Sequence, residues 1–370
     1  MQAFFTRLSR WLASNRNWAL LIVLALAVKV FSLFPAGVET YYTYGAYPFI
    51  SRLQRTLLGW IPLSIGDLLY TAVLILLLVR GGRALRRMAR GRLTRAGTAA
   101  ALRNGLFWIL FVYVWFNLLW GLNYDRQGIA RQLRLEMKTY TLAQLDTLTG
   151  VLEERLNFFA ADSAAQRRAA FYSKRNLFRE AAVAYQAASA TYPFLTYVPR
   201  SIKPSLFSYL GNILGFQGYY NPFSGEGQVN TTIPVFMQPF VACHEIGHQL
   251  GYAKENEANF AGFLACRRHP SPVFRYSVYF DMYNYAIGEL YQKDSVAARR
   301  HLNQLHPQVR ADFREMNRFF DRYRNPLEPL VTWFYGRYLR ANNQPAGRRT
   351  YSEVVAFLIA YQRTYGMESL

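Results

Sequence analysis

The residues able to do chemistry in this 370-residue sequence concentrate in one stretch, Pro239-Phe-Val-Ala-Cys-His244-Glu245-Ile-Gly-His248-Gln-Leu-Gly251. Two histidines four apart on a helix project from one face, one turn above the other, so both imidazoles reach a single metal ion. Glu245 sits beside that face, where a carboxylate can take a proton from a water without itself becoming a ligand. Such a constellation needs a rigid helix. Pro239 in its first turn and Gly251 just past its end punctuate one of about three turns. Two of the chain's five histidines fall here. Of the others, His269 follows Arg267-Arg268 and precedes Pro270, reading as a helix-end surface residue, and His301 and His306 lie in a polar stretch without ligand spacing. Cys243 points about 100° away from His244 on a helix and reads as a buried core thiol. With Cys266 it makes up the chain's two cysteines, too few for a disulfide framework.

A catalytic tetrahedral zinc site needs a third protein ligand and leaves its fourth position to water. Downstream runs Gly251-Tyr-Ala-Lys254-Glu255-Asn-Glu257-Ala258-Asn259, in which Gly251 permits a left-handed turn that folds the chain back towards the metal. A metzincin would carry His at position 254, where this chain has Lys254. Glu255-x-x-Ala258-Asn259 instead resembles the Glu-x-x-Ala-Asp/Asn signature of gluzincin-type metallopeptidases. That resemblance implies Glu255 as the third zinc ligand and Asn259 as the polar residue supporting the ligand set. Glu255 comes seven positions after His248, a shorter gap than is usual in gluzincins, and Glu257 remains the rival ligand. Tyr219, Tyr220, Asn230, Arg275 and Tyr276 are the candidates to contact substrate or stabilise an oxyanion, since a hydroxyl, amide or guanidinium near a metal offsets negative charge on a tetrahedral intermediate.

The elements that must hold these residues divide at about residue 122. Before it, three apolar runs approach the roughly 20 residues needed to cross a bilayer, at about 18–34, 61–79 and 105–122. Ser64-Ile-Gly-Asp67 opens the second run as a helix cap, with Asp67 either interfacial or a functional intramembrane acid. Between the first two runs, about 48–60, Ile50, Leu53, Leu57 and Leu58 share one face with Arg52 and Arg55 on the other, the pattern of a helix lying in the interface. Residues 80–103 hold eight Arg and no acid, which predicts a cytoplasmic loop. Arg7, Arg10 and Arg16 then keep the N-terminus cytoplasmic, an uncleaved first span is preferred to a signal peptide, and everything after Leu122 becomes extracytoplasmic.

The net charge of +21 would in isolation suggest nucleic acid, but residues 1–104 contribute 14 basic and 2 acidic side chains, where they set orientation in a membrane. Residues 123–370 carry 29 basic and 20 acidic side chains and form one further domain. Apolar spacing predicts helices over Thr141–Phe159, Asn176–Ala190, Pro239–Leu250, Glu255–Cys266, Val273–Tyr291, Ala311–Arg324, Leu327–Arg340 and Ser352–Tyr361. Alternation within Gln228–Phe236 predicts one short strand, and Gln228–Ile233 is a candidate edge for pairing with an extended peptide. The fold class expected is therefore mainly α: three transmembrane helices, then a largely helical HExxH metallopeptidase-like domain with at most a short strand element.

Three apolar spans followed by Gly218-Tyr-Tyr-Asn-Pro-Phe-Ser-Gly-Glu-Gly-Gln-Val-Asn230 and by the His244–Phe260 segment resemble a family of bacterial membrane proteins catalogued only as a domain of unknown function. The resemblance covers most of the chain and implies a zinc peptidase anchored in the cytoplasmic membrane, of no known substrate. The partners expected are the lipid bilayer and a peptide or protein substrate, with no nucleic acid. The alternatives are a non-catalytic metal-binding membrane scaffold and an envelope-binding module using the net positive domain. Met237–Tyr252 is too short and polar to span, which argues against an intramembrane protease.

Overall fold

The computed structural model describes residues 15–92, 94–162, 168–171, 173–342 and 350–370. Arg7 and Arg10, used above for orientation, lie outside the described residues. The chain is mainly helical. Helix α1 (Arg16–Ser32) ends before Pro35, and after a short helical turn and a π-helical stretch over Val38–Ala46 the chain enters α2 (Tyr47–Leu58), the whole helical segment Pro35–Leu58 lying at 99° to α1. The sequence-based first span is thus part of a bent pair. The long helices α3 (Ile65–Ala89) and α4 (Arg95–Leu119) are each apolar and long enough to cross a membrane, so among the described residues two helices qualify, or three if the bent pair counts as one span. Both continue past their apolar runs, so that the Arg-rich segment read as a loop is largely the helical tip of a hairpin.

Beyond a short turn at Gly121–Asp125 come α5 (Leu142–Asp162) and α6 (Lys174–Ser189). Strand β1 (Ile202–Pro204), helix α7 (Ser208–Leu214), strands β2 (Gly218–Asn221) and β3 (Glu226–Val229) follow, then α8 (Gln238–Gln249) and α9 (Glu255–Cys266). The chain finishes with α10 (Pro272–Lys293), α11 (Ser295–Gln304), α12 (Pro307–Tyr323), α13 (Glu328–Ala341) and α14 (Thr350–Tyr365).

The three strands form one sheet in the order β1-β3-β2, parallel between β1 and β3 (Ile202 opposite Gly227) and antiparallel between β2 and β3 (Gly218 opposite Val229). This corrects the expected peptide-binding edge. Strand β3 ends at Val229 and is the central strand, its hydrogen bonds taken on both sides, while the chain from Thr231 onward turns into α8. The free edge near α8 belongs to β2.

Helix α8 lies in the middle of the helical core, packed by α6, α9, α10 and β3. Phe240, Val241, Ala242, Cys243 and Ile246 join Phe260, Phe263, Leu264, Phe274, Val278 and Phe280 in one apolar cluster. Every residue of α8 except His244 is buried, so the helix has no broad solvent face, and His244 and Glu245 border a cleft inside the protein. Both cysteines are free and buried.

The membrane helices are bolted to this core by buried polar contacts. Glu226 of β3 accepts hydrogen bonds from the backbone N–H groups of Ile65 (3.2 Å) and Gly66 (2.7 Å) and is paired with Lys203, so a carboxylate meets the positive end of α3. Ser64 Oγ accepts from Asp67 N–H (3.1 Å), as a cap should, and the Asp67 carboxylate accepts from Leu206 N–H (2.8 Å) and the Tyr219 hydroxyl (2.6 Å). Asp67 is thus a tie between a membrane helix and the loops around the sheet.

Candidate metal centre

Helix α8 stacks His244 over His248, and the turn after it brings α9 back alongside. That turn passes through Gly251 at φ +86°, a conformation other side chains resist. The return places Glu255 and Asn259, one turn apart on α9, opposite the histidines. One ligand atom each from His244, His248 and Glu255 lies within 4.8 Å of the others. Glu255 Oε2 is 3.4 Å from His244 Nε2, and Oε1 is 3.8 Å from His248 Nε2.

The far side of each imidazole is occupied. His248 Nδ1 is 2.8 Å from the Tyr252 carbonyl oxygen and His244 Nδ1 is 2.9 Å from Asn259 Oδ1. A carbonyl oxygen only accepts, so His248 carries its proton on Nδ1 and turns the Nε2 lone pair towards Glu255. The amide oxygen of Asn259 does the same for His244. Two nitrogen donors with outer hydrogen bonds and one carboxylate are a donor set of the kind that suits a catalytic zinc ion.

Electrostatics describe a pocket that attracts positive charge. Burial works against ionisation of Glu255, yet its hydrogen bond with His244, the nearby imidazoles and the Tyr335 hydroxyl outweigh it and hold the carboxyl down at about 2. Burial alone would lower His244, but its bond to Glu255 and the charges of Glu245 and Glu255 raise it to about 9. His248 is pulled by burial down to about 4, so one imidazole is neutral. Glu245 is only 2% exposed, its Oε2 has no hydrogen-bond partner, and burial pushes its carboxyl up to about 8. It rests against β2 at Gly218, where an added Cβ would run into its carboxylate, 2.9 Å from Cδ.

His244, Glu245, Glu255 and Asn259 line a cleft of about 540 Å³ whose walls come from α8, α9, α10, α12, α13 and the segment Leu214–Gly218. Glu257 is elsewhere. Two residues on from Glu255, it faces the other side of α9, where its carboxylate lies against the backbone of Gly128 within the fields of Lys254 and Arg126. The five proposed substrate contacts also lie outside the cleft's lining. Tyr219 bonds to Asp67 and Ser205, and Tyr220 packs on Trp120 in the membrane-side core. Asn230 bonds to Asn212 and the Phe216 carbonyl, bracing the loop before β2. Arg275 donates to the His269 carbonyl, and Tyr276 bonds to Asp312, which also pairs with Arg168. Each is engaged in contacts away from the cleft.

Two side chains that spacing did not single out stand in their place. Tyr335 of α13 donates to Glu255 Oε1 (2.8 Å), and Asp281 of α10 lines the cleft beside His244. The other histidines are structural: His269 is buried against Glu180 rather than on the surface, and His301 is clamped between Asp146 and Glu153.

The carbonyls at the C-terminal end of α8 are satisfied by the membrane part of the chain. Tyr47 Oη (2.8 Å), Ser51 Oγ (3.1 Å) and Arg55 Nη1 (3.2 Å) of α2 all donate to the Gln249 carbonyl, and Trp120 Nε1 donates to that of His248 (3.0 Å). Helix ends leave such acceptors unpaired unless another element supplies donors, and a cation there also meets the negative end of the dipole. No curated protein and no solved structure matches the chain. One family model spans both the membrane helices and the His244–His248–Glu255 cluster, over residues 42–359, and by that match the chain belongs to DUF3810, a family described as a protein of unknown function.

Proposed function

We propose that this protein is a membrane-anchored zinc peptidase, an amide hydrolase of gluzincin-like type working on the extracytoplasmic face of the membrane. The observation that carries the reading is the convergence of His244, His248 and Glu255 donor atoms beside the buried carboxylate of Glu245, at the wall of a peptide-sized cleft. A zinc ion held there would polarise the scissile carbonyl and bring the acidity of a water close to neutrality. The chain supplies the rest. Asn259 and Tyr252 keep both imidazoles turned inward, and Glu245 receives a proton from the attacking water on its unpartnered oxygen and returns it to the departing amine. Tyr335, whose hydroxyl donates to Glu255 Oε1, stands next to the ligand set and would turn that proton to negative charge on the carbonyl oxygen once a metal engages Glu255.

A purely structural zinc site is closed by a fourth protein ligand. Among the described residues three converge, and a base stands beside them, which favours turnover over a scaffold role. Eight exposed arginines at the tip of the α3–α4 hairpin favour a cytoplasmic tip, with the sheet and cleft at the opposite, outer ends of these helices.

The test is metal content of the purified full chain by elemental analysis, beside His244→Ala and Glu245→Gln. About one zinc per chain, lost in the first variant and kept in the second, supports separate ligand and base roles. A parent protein that holds no zinc after purification without chelators overturns the reading.

A further inference from the structure

The cleft is acidic although the protein is basic. Glu245, Glu255, Asp281 and Glu328 line it, and none of its lining residues is Lys or Arg, in a chain with 43 basic and 22 acidic side chains. Three of these acids have an evident role or setting. Glu255 faces the two imidazoles, Glu245 is the base of the reading above, and Glu328 is exposed at the start of α13. Asp281 has none of these. It is 6% exposed, its Oδ2 has no hydrogen-bond partner among the described residues, and it stands outside the three-residue donor cluster. A divalent ion held by Glu255 and the neutral imidazoles, with Glu245 beside it, balances those two carboxylates and leaves Asp281 uncompensated.

Ionising such a buried carboxyl costs several kcal/mol, so it keeps its proton until something supplies a counter-charge. Its surroundings indicate what. Asn284 and Tyr285, three and four residues on, turn the same helical face to the cleft. Met237, Phe240, Val241, Met316 and Phe320 form an apolar wall of the same space. An acid within an apolar-walled slot matches a long aliphatic side chain with a cationic tip.

We propose that Asp281 is the specificity subsite of the cleft and takes a lysine or arginine side chain of the substrate, making the preferred substrates basic peptides. This deepens the peptidase reading and rests on it for the word substrate. The cationic tip pairs with the Asp281 carboxylate, and the stem lies along the methionine and phenylalanine wall.

The test uses the full chain, zinc-loaded in detergent micelles, and two fluorescein-labelled heptapeptide pools with randomised flanks, one with lysine and one with norleucine at the central position. Binding to Glu245→Gln is read by anisotropy and hydrolysis by the parent is read separately. The lysine pool should bind more tightly by on the order of 10- to 100-fold, the range of a charge-assisted hydrogen bond. Asp281→Asn added to that variant should erase the difference. Equal binding of the pools, or a preference that survives Asp281→Asn, overturns the subsite. Hydrolysis without preference overturns the subsite and leaves the peptidase. An Asp281-dependent preference without hydrolysis by the parent does the reverse. If Asp281→Asn fails to fold, Asp281→Ala takes its place, and equal binding of the pools on unaltered Asp281 overturns the subsite without either variant.

Discussion

Exchanging three neighbouring residues of α9 tests the ligand geometry independently of any substrate. Glu255 faces His244 and His248 across 3.4 and 3.8 Å, Asn259 holds His244 Nδ1 at 2.9 Å, and Glu257 lies on the opposite side against Gly128. Removing the Asn259 amide frees the His244 ring to rotate and to place its proton on Nε2, where it would block the metal. Outer hydrogen bonds of this kind are worth about 10- to 100-fold in metal affinity, or roughly 1.4–2.7 kcal/mol. Asn259→Ala should therefore weaken zinc by that factor. Glu255→Gln should weaken it more, because an anionic ligand becomes a neutral one. Glu257→Gln should leave affinity within about twofold, since its carboxylate does not reach the site. The assay is zinc competition with a chromogenic chelator on the full chain, each variant first checked for an unaltered melting temperature. The reasoning fails if Glu257→Gln weakens zinc more than Glu255→Gln, or if Asn259→Ala binds as the parent does.

Two further outcomes follow from the same geometry. Gly218→Ala should retain zinc but lose activity, because the new Cβ would sit 2.9 Å from Glu245 Cδ and 3.0 Å from the Gln228 carbonyl, in a place with little room to yield. A displacement near 1 Å at a catalytic group costs on the order of 100-fold in turnover, so kcat unchanged at full zinc occupancy would remove Glu245 from the role of base. Chelator-treated protein should show a pH-dependent stability that Asp281→Asn reduces, the remainder coming from groups such as Glu245 that burial raises in the same way. Burial raises the Asp281 carboxyl to about 8 from an ordinary 3.8, so the folded state holds its proton more tightly than the unfolded chain does. That contribution is present in full below pH ~4 and is lost as pH rises towards ~8, with a slope approaching ~1.4 kcal/mol per unit. Melting curves should place Asp281→Asn above the parent at pH 8, with the gap narrowing steadily as the pH falls to 5. A gap that is constant with pH would mean that Asp281 does not titrate.

What the sequence revealed was whatever is written in local spacing. His244, Glu245 and His248 share a helix whose ends are marked by Pro239 and Gly251, so their relation needs no knowledge of the fold. Glu255 and Asn259 are four apart on the next helix, and one turn of chain reversal is enough to bring them in. Asp281 and Tyr335 carried no such mark, because they meet the site only through packing of α10 and α13. Nothing in their own segments separates them from Tyr276 or Arg275, which packing turned inward to Asp312 and to the His269 carbonyl. The expected peptide edge failed for a related reason. Alternation in Gln228–Phe236 shows an extended segment but not how many neighbours it has, and β1 and β2 claimed both sides of β3.

The amphipathic helix between the first two apolar runs shows how the surrounding medium changes the meaning of a pattern. In water an apolar stripe turns towards the protein, but α2 buries Tyr47, Ser51 and Arg55 and exposes Phe49, Leu53 and Leu57. With lipid outside, the inversion is the stable choice, because Arg55 finds the Gln249 carbonyl, Ser51 and the Tyr197 ring only by facing inward. The acceptor it finds is the end of the helix that carries His244 and His248. Gln249 continues the connection, since its side-chain amide donates to the carbonyls of Ser201 and Gly225 while its oxygen accepts from Tyr197, linking α8 to the sheet. The end of the ligand helix is therefore held by donors from the membrane-associated segment on one side and by the sheet on the other. A cut at residue 122, natural as it is from hydropathy, would leave the Gln249 carbonyl without its three α2 donors and strip Trp120 from His248. The span of the family match, which begins at residue 42 just ahead of α2, fits a unit in which the membrane part is a structural component of the site.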